Sequence, residues 1–115
     1  MDAPNTVAVL DREQLRDVTL DDEALMQEIV AALIDDTSRQ MKLLDAAIVE
    51  QDVPRCMRLA HYSKGACANV GANSAAAILK DIEAKAASAD FAECSVALAR
   101  LATEMDLLRS TPISL

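Results

Sequence analysis

Pro54 and Gly71 cut the middle of this chain into segments of helical length, and Pro112 closes the last of them. Proline disfavours helical geometry in the residue before it but is accepted in a helix's first turn, so "QDVP" stops one helix while Asp52 caps the next. That next helix is expected over about 53 to 70, because Gly71 supplies a natural C-terminal stop. Asn73 is the expected cap of a helix over about 73 to 88, with Ala76, Ile78, Leu79, Ile82 and Ala86 as its apolar contacts, and Asp90 caps a last helix through "FAECSVALARLATEMDLLR". Upstream, Asp11 caps a short helix that turns Leu15 and Val18 inward. Thr19 or Asp21 then opens a long helix to about Glu50, with acidic residues in its first turn, where the helix dipole favours them. Its apolar stripe is Leu25, Ile29, Leu33, Met41, Leu44 and Ile48, with a bend expected at residues 35 to 38. The fold class is all-α: an antiparallel four-helix bundle with a short additional N-terminal helix. The bundle is expected over residues 11–110, between a loosely ordered N-terminus, 1–10, and a C-terminal tail, 111–115.

Composition agrees with close helix packing. The chain is 52% hydrophobic, yet it has one Phe, one Tyr, no Trp and an excess of alanine. Its 115 residues suffice for one core and leave no room for an ATP-binding module beside it. A net charge of −8 argues against a nucleic-acid partner, since phosphate-backbone affinity comes from clustered Lys and Arg. Three cysteines at unpatterned spacing, Cys56, Cys67 and Cys94, make no disulfide framework and point to a reducing compartment. No uncharged apolar stretch reaches the roughly 18 residues that a bilayer span needs, so the expectation is a cytoplasmic protein without a membrane partner.

The chain's only histidine lies in "AHYSKGACANVGA", residues 60 to 72. With His61 at zero and about 100° per residue, Lys64 falls near −60°, Met57 near −40°, Ala68 near −20°, Gly65 near +40° and Arg58 near +60°. Cys56, Leu59, Ser63, Ala66 and Val70 fall on the opposite, core side, so His61 looks outward. Glycine inside a helix costs roughly 1 kcal/mol relative to alanine, so Gly65 needs a reason other than helix formation. Access is that reason: a flat approach to the imidazole requires that nothing stands up from the next turn.

In an antiparallel hairpin, residues equally far from the turn lie level. His61 stands ten residues before Gly71 and Glu83 twelve after it, so Glu83 can reach across and accept a hydrogen bond from one imidazole nitrogen. The other nitrogen is then an aimed nucleophile. A solvated surface carboxylate is the equally weighted alternative for Glu83. No metal site follows, because Cys56 and Cys67 point to the core side, away from His61. A hydrolytic dyad lacks its hydroxyl or thiol on the histidine's face, and there is no glycine-rich phosphate loop.

These residues resemble the H-x-x-K-G-x-x-x-x-x-G-A pattern of histidine-containing phosphotransfer domains, and "LKDIEAKAAS" is similar to that family's following helix. "TLDDEALMQEIVAALIDD" and "AAIVEQDVPRCMRLAH" resemble its preceding helices, so the likeness runs over about residues 11 to 109. The chain departs at Ser63, where the family usually has a bulky aliphatic residue, and in lacking an aromatic often found in the second helix.

The resemblance implies that His61 is the phosphorylated residue, that Lys64 partners the phosphoryl oxygens and that Glu83 orients the imidazole. It makes Gly65 the clearance position, and Met57, Arg58, Gly65 and Ala68, which share His61's side of the wheel, are the expected docking face. The implied partners are a sensor histidine kinase and the aspartate of a response-regulator receiver domain, with the chain itself a monomer. No cofactor is expected here; Mg belongs on the receiver. The chain would be a relay intermediate and not an autonomous kinase. A non-catalytic receiver-docking bundle of the same fold is the alternative, which a missing histidine would have signalled. A small hydrolase using His61 as base would need an enclosed pocket.

Overall fold

The computed structural model describes residues 8–113, and among them five helices and no strand are present: α1 Arg12–Val18, α2 Glu23–Val49, α3 Val53–Val70, α4 Asn73–Ala87 and α5 Phe91–Ser110. Four of them begin with an aspartate whose side chain accepts from the backbone three residues on: Asp11 from Gln14, Asp22 from Leu25, Asp52 from Arg55 and Asp90 from Glu93. Each satisfies an N–H that the helix cannot. Two expected caps are corrected. Asp22 opens α2 in place of Thr19 or Asp21, and α4 is capped by Ala72 without a side-chain bond, Asn73 being its first helical residue. Asn73 instead donates to Gln14 Oε1 at 3.4 Å, tying α4 to α1.

α2 runs unbroken through residues 35 to 38, where a bend was expected. Thr37 is buried there, its hydroxyl 3.9 Å from Cys67 Sγ, so "DDTS" carries a core contact. At about 1.5 Å per residue the 27 residues of α2 span roughly 40 Å, which sets the 42 Å long axis of the molecule. The N-terminal part of its stripe is rotated from the expected one. Met26 and Val30 are buried, whereas Leu25 is exposed and Ile29 is half-buried. Val18 is likewise exposed, and Leu15 alone anchors α1.

Each helix packs on its chain neighbour, and α5 closes the bundle against α2. Leu15, Leu44, Leu79, Ile82, Leu101, Met105 and Leu108 fill the core together with Cys56, Cys67 and Cys94. Truncating one of the large side chains to alanine costs about 2–5 kcal/mol. The three cysteines are free thiols, and burial pushes each thiol's pKa up.

Gly71 ends α3 with φ +95°, and its carbonyl accepts from Asp11 N–H at 2.8 Å. Ser74 N–H donates to Ala8 O at 3.0 Å, and Leu10 is buried. The chain leading into α1 is thereby fastened to the α3–α4 turn. Of the segment expected to be loosely ordered, residues 1–7 lie outside the described residues, as do 114–115 of the tail. Among the described residues no helix is long and apolar enough to cross a membrane.

Candidate functional site

α3 buries Cys56, Ala60, Ser63 and Cys67, spaced four, three and four residues apart, so its other side faces water. This stripe is turned from the expected one toward α4: Ala60 and Cys67 are buried, while Leu59, Ala66 and Val70 are only half-buried. His61 projects from the outward side with 68% of its side chain exposed. The turn brings Lys64 to the α3–α4 seam, where its side chain is 28% exposed.

Across that seam stands Glu83 of α4. Its Oε2 lies 3.0 Å from His61 Nδ1 and its Oε1 accepts from Lys64 Nζ at 2.8 Å. One carboxylate thus joins the imidazole and the ammonium. The Lys64 hydrogen bond holds the Glu83 carboxyl below its ordinary pKa against the opposing effect of burial, with further help from the Lys64 and His61 charges. An ionised carboxylate can only accept, so Nδ1 carries the hydrogen, and in the neutral ring the lone pair is then on Nε2. Among the described residues no hydrogen bond engages Nε2.

The surroundings are low. A Cβ built on Gly65 meets no atom within 4 Å, so no helix packs against that position. Arg58 is exposed, Met57 and Ala68 are half-buried, and all lie on the outward part of α3. The Ala68 carbonyl accepts from Gln14 Nε2, so α1 borders the C-terminal end of this face.

Tyr62 was not singled out in the sequence. It borders the face on the α2 side, its hydroxyl donating to Asp36 Oδ2 at 3.0 Å, and that bond raises the phenol's pKa. Arg39 pairs with the same aspartate at 3.5 Å. A lone tyrosine beside a histidine carries no motif, and its partner Asp36 lies where a bend in α2 was expected.

The arrangement offers a nucleophilic nitrogen with its second nitrogen fixed, a cation one turn away and a flat approach. Cys56 and Cys67 do not approach His61, and among the described residues no three His, Cys, Asp or Glu side chains gather as a metal site. A family model described as Hpt domain matches residues 28–111, which take in most of α2 and all of α3, α4 and α5. No curated protein and no solved structure gives a significant match.

Proposed function

The chain belongs to the Hpt domain family, whose work is histidine phosphotransfer in two-component systems, and from that premise we propose that His61 relays a phosphoryl group from a sensor histidine kinase to the aspartate of a receiver domain. The observation that carries this reading is the 3.0 Å contact between His61 Nδ1 and Glu83 Oε2. It supports the tautomer in which Nε2 is the nucleophile.

The Nε2 lone pair forms the N–P bond as the bond from phosphorus to the donor atom breaks, and the donor keeps that electron pair. No proton has to leave the ring. The phosphorylated ring is cationic while Nδ1 keeps its hydrogen, and the Glu83 carboxylate offsets that charge. On transfer, the aspartate oxygen of the receiver bonds to phosphorus, and the N–P electrons return to Nε2. Lys64 sits where its ammonium can turn from Glu83 to the phosphoryl oxygens. Mg and most of the transfer machinery belong to the receiver, which suits a chain that offers one exposed nucleophile and a low surface.

Phosphotransfer profiling against each sensor kinase and receiver of the source cell tests the reading. Labelled phosphate should pass from a kinase to this chain and then to a receiver aspartate. Receiver binding without any label on the chain would favour a docking bundle and overturn the relay.

A further inference from the structure

α5 turns a buried stripe to the core through Cys94, Ala97, Leu101, Met105 and Leu108, and Glu104 stands within that stripe at 9% exposure. Its Oε2 is buried without a hydrogen-bond partner among the described residues. A carboxylate removed from water and left unpaired is strongly unfavourable, so an apolar residue would serve a purely structural role better. Arg100, one turn earlier, is spaced to pair with it, yet Arg100 Nη1 lies 3.8 Å from Asp81 Oδ2 on α4. Arg100 thus pairs with Asp81, and among the described residues no ion pair forms to Glu104.

Glu104 lines a groove of about 730 Å³ between α4 and α5, together with Asp81, Arg100, Ser74 and Thr103, and with Ala77 and Ile78 as an apolar wall. The groove is net negative and rich in acceptors. The Thr103 hydroxyl donates to Ala99 O at 3.4 Å, which leaves its lone pairs available.

We propose that this groove binds the guanidinium of an arginine presented by a protein partner, at a site separate from the His61 face. Three observations favour arginine. Its planar fork of five donors suits a carboxylate flanked by other acceptors, and its methylene stem suits the Ala77–Ile78 wall. The charge deficit matches one cation. A metal ion is disfavoured, since no three His, Cys, Asp or Glu side chains converge among the described residues. Asp81 and Glu83 lie about 160° apart around α4, so an occupant here leaves His61 open.

The test is an amide NMR titration of the intact chain with Nα-acetyl-arginine methylamide, and with the citrulline analogue as the uncharged isostere. Saturable shifts are expected at residues 74–81 and 100–104 with the arginine probe alone, weakened about tenfold or more in Glu104→Gln. Equal binding by Glu104→Gln, equal shifts with citrulline, or displacement of the probe by magnesium chloride beyond that by sodium chloride at the same ionic strength would overturn the proposal. Should Glu104→Gln fail to fold, Asp81→Asn on the groove's rim carries the same test. Weakened binding supports the site, and undiminished binding refutes it.

Discussion

The carbonyl oxygen of Asp11 stands 2.8 Å from the point where a Cβ on Gly71 would sit. The obstacle is backbone, held in place by the Asp11 N–H bond to the Gly71 carbonyl, so it cannot swing aside as a side chain would. With φ at +95° as well, the position is closed to other residues. Gly71→Ala should therefore destabilise the fold by at least about 1–2 kcal/mol, the cost of left-handed geometry alone. Urea unfolding measures this, and an unchanged midpoint would contradict it.

Gly65 should behave in the opposite way. It is helical, and a new Cβ meets nothing within 4 Å, so Gly65→Ala should stabilise by roughly 0.4–1 kcal/mol through the unfolded chain. Gly65→Gln should also fold, while its side chain stands beside His61 and slows transfer strongly. Thermal melting and phosphotransfer on both variants decide the point: a lower melting temperature for Gly65→Ala would favour a packing role, and full transfer by folded Gly65→Gln would exclude clearance.

Acid should weaken the fold through Glu83. Its carboxyl pKa is depressed in the folded state, so the unfolded chain binds this proton more readily. The stabilisation is fully present above the ordinary carboxyl value of 4.5 and is lost as pH falls from there through the depressed folded value. Urea unfolding across that range should show a shallower pH dependence in Glu83→Gln. An identical slope in both proteins would contradict the ionised bridge.

Lys64→Ala should change stability by no more than about 1 kcal/mol, since the pair is partly exposed and screened. Transfer should slow by on the order of tenfold, the worth of one charge-assisted contact to the phosphoryl group. Stopped-flow transfer from the phosphorylated chain to a receiver measures it, and an unchanged rate would remove Lys64 from the reaction.

The level pairing of His61 with Glu83 was legible because a short turn at Gly71 fixes which residues of two antiparallel helices lie side by side. Aspartate caps were legible for a similar local reason, although two boundaries shifted by a residue. Helix rotation was not. At Leu25–Met26 and Ile29–Val30 the sequence offers adjacent apolar residues, and only tertiary packing chooses between them. In α3 the buried residues include Ala60 and Cys67, small side chains with little hydropathy contrast in an alanine-rich helix. Glu104 was hidden for the reverse reason, because a charged residue reads as solvent-facing until its stripe is placed. Three of the four connections use left-handed non-glycine residues, Leu20, Asp21, Gln51 and Ala89, which carry no sequence signal.

The central claim is that Glu83 fixes His61 so that phosphate enters through Nε2. The chain can be phosphorylated with phosphoramidate and followed by 31P and 15N NMR of the imidazole. One acid-labile phosphorus signal coupled to Nε2 is predicted, with Nδ1 still protonated; it should vanish in His61→Gln while the helical circular dichroism is unchanged. Phosphate on Nδ1, or a phosphate that persists in His61→Gln, would contradict the account.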